Sequence, residues 1–151
     1  MGAMLDEYER VIREFEQVIT GLSTEDFTRV LDAETDDPDC RTAQTICNHV
    51  IRAGYGYCIA IRERFGDAFI ERKLQYDVSD AATVVRQLQE MFQYTVEALI
   101  DKNDLTLEQI IENEIKSRWG QTYDVEQMVE HAIVHVMRHR RQIERLLSIA
   151  K

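Results

Sequence analysis

Three of the chain's four histidines fall in one short run, His131-Ala-Ile-Val-His135-Val-Met-Arg-His139, spaced four apart. On a helix, residues four apart project from the same side, one turn above another. His135 and His139 then differ by about 40° in direction and about 6 Å in height, a spacing that suits two ligands of one ion. The fourth histidine, His49, lies in a different helical segment, on its apolar stripe. A lone imidazole on such a stripe needs a partner. Together His49, His135 and His139 make a three-histidine ligand set. Such a set with an open coordination position is the arrangement of a catalytic zinc site, not of a closed structural one. Imidazole also suits nickel, iron, cobalt and copper, so the residues leave the metal's identity open. A divalent ion, zinc or nickel foremost, is the expected cofactor.

His131 is set apart, about 80° round the helix from His139 and two turns away. It reads as a residue at the mouth of the site, a group behind the ligands, or a half-exposed side chain. Gln142, one turn past His139, and Asn48 and Tyr57 on the segment of His49 are candidate helpers in a pocket. Ordinary packing or solvent contact accounts for them equally well. No catalytic base is assigned.

Other chemistries lack their residues. A zincin requires H-E-x-x-H, with the Glu as general base, and Val136 follows His135 here. Cys47 is about 160° from His49 around its helix and Cys58 about 180°, so neither shares an ion with it. No G-x-S-x-G and no phosphate-loop glycine pattern occurs. The cluster Arg138, Arg140, Arg141 and Arg145 could hold an anion, but it reads more simply as a solvated face paired with Glu144 and neighbouring helices.

The elements that must position the histidines are helices. Apolar residues recur at three- and four-residue steps from about Met4 to Gly21, from about Thr42 to Phe65, from Ser79 or Asp80 to about Ile100, and from about Val125 to Ile149. Ser23-Thr-Glu-Asp26 caps a short helical piece carrying Phe27, Val30 and Leu31, and a polar loop from Asp32 to Asp39 holds the only proline. Thr42 is a suitable N-cap, and Asp124 with Gln127 approximates a capping box. Gly54 and Gly56 inside the second long helix point to close approach of a neighbouring helix. Residues 105 to 123 read as a short helix or an extended piece, turning at Trp119-Gly120. The predicted fold class is all-α: a four-helix bundle in one domain over residues 1–151. Its long connections follow the first and third helices and allow crossovers.

The bulk composition fits that reading. A chain of 151 residues with 44% hydrophobic and 30% charged residues is long enough to bury a core. Only 1 Pro and 6 Gly leave little to interrupt helices. The net charge of −10 disfavours nucleic acid and anionic membrane surfaces as partners. The expected partner is a small-molecule substrate. Three cysteines without C-x-x-C spacing fit a reducing cytoplasm better than a disulfide scaffold. No apolar run reaches membrane-spanning length, and no signal-peptide pattern is present.

Two stretches resemble the DinB/YfiT-like superfamily of metalloenzymes. Thr42-Ala-Gln-Thr-Ile-Cys-Asn-His49 is similar to the segment leading into that family's first histidine. His135-Val-Met-Arg-His139-Arg-Arg-Gln142-Ile is similar to its histidine-rich last helix. Helix count and order agree over essentially the whole chain. The resemblance implies a four-helix bundle of the DinB/YfiT-like type and a divalent metal held by three histidines, carried over to His49, His135 and His139. It also implies a homodimer, and an activity of the hydrolase or thiol S-transferase type that uses a low-molecular-weight thiol or water. Arg141 stands where the family often has Gly, and Arg138 where it often has a further His. Both changes spare the ligands and weaken any transfer of substrate from a relative.

Three readings of function stay open on the sequence. The leading one is a metal-dependent enzyme that activates water or a thiol. The others are a non-catalytic metal-binding module and a metal-free helical interaction protein whose histidines are hydrogen-bonded core groups.

Overall fold

A computed structural model describes residues 1–149. Four long helices form the body: α1 (Gly2–Thr20), α3 (Ala43–Phe65), α4 (Ala81–Leu99) and α6 (Val125–Ile149). Two short helices, α2 (Thr24–Thr28) and α5 (Leu107–Glu112), lie in the connections. A 3-10 turn over Pro38–Cys40 precedes α3, and a small antiparallel hairpin pairs β1 (Ile115–Lys116) with β2 (Thr122–Tyr123).

Local sequence explains the boundaries. The Thr42 hydroxyl accepts the Thr45 N–H at 2.9 Å and the Thr45 hydroxyl accepts the Thr42 N–H at 3.1 Å, closing a capping box at the start of α3. At the other end of α3, Gly66 takes φ 76°, the left-handed conformation that glycine reaches without a steric penalty. Asp80 caps α4 through the Thr83 N–H at 2.8 Å. Asp124 and Gln127 bond reciprocally at the start of α6, at 2.8 and 3.0 Å. Between β1 and β2 the chain turns at Gly120, φ 88°. The region from 105 to 123 therefore contains both the short helix and the extended piece that its sequence allows. Leu107 and Ile111 of α5 remain exposed, so that helix adds little to the core.

α1 packs on α4 and α6, and α3 packs on the same two helices. Each of the helices α1 and α3 therefore stands diagonal to the other, and so do α4 and α6. The long connections before α3 and before α6 span those diagonals, whereas the link from α3 to α4 joins neighbours. The core runs through the middle of this square. Phe15, Ile19, Ile46, Leu88, Leu99 and Ile143 are each 0% exposed.

α3 is the most deeply embedded helix and buries more than the single apolar stripe on which the sequence places His49. Cys47, Ile51, Tyr55, Cys58 and Ile59 are buried in addition to Ile46, Val50 and Ile61. The edge carrying His49, Ala53, Tyr57 and Ala60 is only half-buried. Gly54 is where α4 comes closest: a Cβ there would lie 2.2 Å from the Met91 sulfur. At Gly56 the nearest such contact is the Arg72 guanidinium at 4.0 Å, so no helix presses on it. No helix among the described residues is long and apolar enough to cross a membrane.

Candidate metal centre

α3 and α6 are neighbours, and their contact brings His49 onto His135 and His139. One ring nitrogen from each of the three lies within 4.8 Å of the others, and His49 Nε2 is 3.0 Å from His135 Nε2. A tetrahedral zinc sphere sets such nitrogens about 3.3 Å apart, a value these separations bracket. Among the described residues this is the one group of three or more His, Cys, Asp or Glu side chains placed to hold an ion.

Hydrogen bonds on the outer sides of two rings fix which nitrogen faces inward. Asp39 Oδ2 lies 3.3 Å from His49 Nδ1. A carboxylate only accepts, so His49 Nδ1 carries the proton and Nε2 presents its lone pair. Arg52 also reaches Nδ1, at 3.4 Å, but a guanidinium only donates and this one is satisfied by the same Asp39 oxygen. On the opposite side, His139 Nδ1 donates to Gln142 Oε1 at 2.9 Å, leaving its Nε2 free. The Cys40 thiol also points at Gln142 Oε1, at 3.9 Å. Fixing ligand tautomers from behind is how metal sites orient their histidines.

The donor chemistry fits a divalent ion. With Nδ1 of His49 and His139 protonated, their Nε2 lone pairs face inward, and His135 Nε2 lies 3.0 Å from His49 Nε2. In the metal-free protein His135 can donate its Nε2 proton to that lone pair, and in its other tautomer it presents a third lone pair to a cation. Burial, reinforced by the neighbouring imidazoles, pushes His135 down to about 2. Burial also lowers His139, to about 4. Both rings are therefore neutral at pH 7, the form that binds metal.

The other predicted pocket residues separate into distinct roles. Gln142 buttresses His139. Tyr57 sets its ring edge-on to His135, centroids 5.7 Å apart, and burial raises its hydroxyl to about 12. His131 is outside the cluster. It stacks on Trp119 at 5.3 Å, with Tyr57 edge-on at 5.2 Å and the Tyr123 hydroxyl 3.5 Å from its Nδ1. Asn48 faces the connection between α3 and α4, accepting the Tyr76 N–H at 2.8 Å and donating to the Leu74 carbonyl at 3.4 Å.

Of the arginine cluster, Arg140 pairs with Glu14 and Glu144, and Arg141 with Glu144. Arg141 is solvated and ion-paired as expected, whereas Arg140 is ion-paired but half-buried against α1. Cys47 and Cys58 are buried away from the histidines, and Cys58 points at the Tyr94 carbonyl.

Asp39, Arg52 and Cys40 are the site residues that sequence reasoning missed. Asp39 and Cys40 sit in the 3-10 turn, where no helical period links them to His49. Pro38 inside that turn was the available signal for an ordered loop.

A cavity of about 730 Å³ opens beside the cluster, with His49 and His135 in its wall. The half-buried edge of α3, with Ala53, Gly56, Tyr57 and Ala60, forms its floor. The α3–α4 connection lines it with Arg72, Lys73, Leu74 and Tyr76, and the β1 segment lines it from Ile115 to Trp119.

The DinB family model matches residues 1–149. The chain belongs to the DinB family. No curated protein and no solved structure matches it. For this DinB-family chain the match covers essentially the whole bundle, so all four long helices and the three histidines fall inside it.

Proposed function

We propose that this DinB-family protein is a metal-dependent enzyme, with His49, His135 and His139 holding a divalent ion, zinc or nickel, beside a substrate cavity. The observation that carries the proposal is the cavity wall. Two of the three histidines line a space large enough for a small organic substrate. Three neutral imidazoles cancel none of a divalent ion's charge, and such an ion when bound acidifies water or a thiol, water towards a pKa of about 7 with zinc.

The chain's own residues supply orientation. Asp39 and Gln142 hold two of the ligand rings, and Tyr57, protonated at neutral pH, lines the cavity. Cys40 is not the nucleophile in this reading, because burial raises its thiol and Asp37 beside it opposes the thiolate. The nucleophile comes from outside the chain, as water for hydrolysis or a low-molecular-weight thiol for transfer.

The test is a paired screen of metal-loaded protein, for thiol conjugation to electrophiles and for ester and amide hydrolysis. Wild type is compared with His135→Ala. Turnover that requires metal and is lost in the variant is expected in one of the two screens. Absence of turnover in both, with the metal bound stoichiometrically, would leave the site as a binding module.

A further inference from the structure

The charges around the cavity are opposite to those of the chain as a whole. The protein carries a net charge of −10, yet Arg52, Arg64, Arg72, Lys73, Lys116 and Arg118 all line this one cavity. They are six of its 18 Lys and Arg residues. Only Glu63 and Glu114, two of 28 acidic residues, join them there. A solvated face of an acidic protein would collect carboxylates, so an excess of cations in a concave site points to what enters it.

Three of these cations are already engaged. Arg52 pairs with Asp39, Arg72 pairs with Glu63 at 2.6 Å, and Arg64 donates to the Glu112 and Glu114 carbonyls, tying α3 to the β1 segment. The other three, Lys73, Lys116 and Arg118, have no carboxylate partner among the described residues, and Lys73 Nζ lies over the Tyr76 ring, 5.9 Å from its centroid. They come from two separate parts of the cavity lining, Lys73 from the α3–α4 connection and Lys116 and Arg118 from the β1 segment. The rings of Tyr57, Tyr76 and Trp119 line the same cavity as these cations and as His49 and His135.

We infer that the cavity takes a small organic anion: an oxyanion head held by Lys73, Lys116 and Arg118, and an apolar or aromatic body laid against the Tyr57, Tyr76 and Trp119 rings towards His49 and His135. Lys73, Lys116 and Arg118 are then specificity-determining residues. This rests on the cavity being the substrate site, but the recognition belongs to the chain's own cations and does not need the metal. Cationic side chains in a concave wall strengthen anion binding in a salt-dependent way, because exposed charges are screened by added electrolyte.

The test uses two fluorescent probes that differ by one anionic group, anilinonaphthalene sulfonate and the uncharged N-phenyl naphthylamine. Both are titrated against the full chain, with chelator and with added Zn2+. One variant carries Lys73→Ser, Lys116→Ser and Arg118→Ser. A charge-matched control carries Arg13→Ser, Arg86→Ser and Arg145→Ser. The expected result is saturable sulfonate binding with and without Zn2+, weakened by about tenfold or more in the cavity variant and by added salt, and unchanged in the control. The uncharged probe should bind both variants alike, and unchanged circular dichroism excludes misfolding. Equal loss in both variants would reduce the effect to net charge. Sulfonate binding that needs Zn2+ and vanishes in His49→Ala, but survives in the cavity variant, would assign the anion to the metal and overturn the inference. Unchanged metal binding in the cavity variant keeps this result separate from the fate of the metal site.

Discussion

Asp39 Oδ2 lies 3.3 Å from His49 Nδ1 and also receives the Arg52 guanidinium. Burial works against the Asp39 carboxylate, but the hydrogen bonds from Arg52 and His49 hold it below the usual carboxylate range. It stays ionised and keeps the His49 proton on Nδ1. The candidate ligand His49 on α3 is thus oriented by a turn that precedes the helix, and that turn is itself held against α3.

Asp39→Ala is expected to weaken divalent metal binding about 10- to 100-fold, the usual cost of removing a group that orients a ligand histidine. Competition against a chromophoric chelator measures it. Affinity equal to wild type would remove Asp39 from the site.

The metal-free protein should lose stability on mild acidification. His135 and His139 are depressed in the folded chain, to about 2 and about 4, from an ordinary value of 6.5. Below pH 6.5 the unfolded chain takes up protons that the folded chain refuses. The stability conferred by neutral burial is therefore complete above pH 6.5 and lost as pH falls towards 4, by about 1.4 kcal/mol per pH unit for each group. Urea unfolding from pH 7.5 to pH 4.5 tests this, with His135→Leu as the comparison. The variant should show a shallower slope, and parallel slopes would contradict the neutral, buried assignment.

The two glycines in the middle of α3 should respond oppositely to alanine. At Gly54 the new methyl meets Met91, which is 0% exposed, so overpacking costs about 1–3 kcal/mol and outweighs a gain in helix propensity of about 1 kcal/mol. At Gly56 nothing crowds the methyl, and Gly56→Ala should stabilise by up to about 1 kcal/mol. Chemical denaturation of the two single variants, and of Gly54→Ala with Met91→Ala, checks the pair. Relief of the Gly54→Ala cost by Met91→Ala is expected, and strictly additive effects would disprove the contact.

Asn48→Ala leaves the Tyr76 N–H without its side-chain acceptor and frees the α3–α4 connection from α3. A cost of about 1–3 kcal/mol is expected where the freed donor stays buried. Amide exchange at Tyr76 should accelerate while α1 amides stay protected, and unchanged exchange at Tyr76 would show that the anchor lies elsewhere.

The helices were legible because their signals are local. The Thr42 cap, the Asp124–Gln127 pair and the three- and four-residue apolar steps of α4 each act within one or two turns, and each appears where its spacing places it. His135 and His139 share a face for the same reason. Bringing His49 to them depends on α3 packing against α6, a tertiary fact that the apolar side of α3 only suggests. One apolar stripe through His49 understates the burial of α3, because a helix embedded between two neighbours buries more than one face, which leaves Tyr55 and Cys58 inside and His49 at the edge. Asp39, Lys73, Lys116 and Arg118 were illegible as site residues. They sit on turns and connections, where no periodicity relates position in sequence to position in space.

The central claim is that His49, His135 and His139 hold one divalent ion between α3 and α6. Elemental analysis of the purified protein tests it directly, with wild type measured beside His49→Ala and His135→Ala and folding verified by circular dichroism. One metal ion per chain in wild type, lost in both variants, is the predicted result. Full occupancy retained in either folded variant, or a wild-type protein that takes up no zinc or nickel at neutral pH, would contradict it.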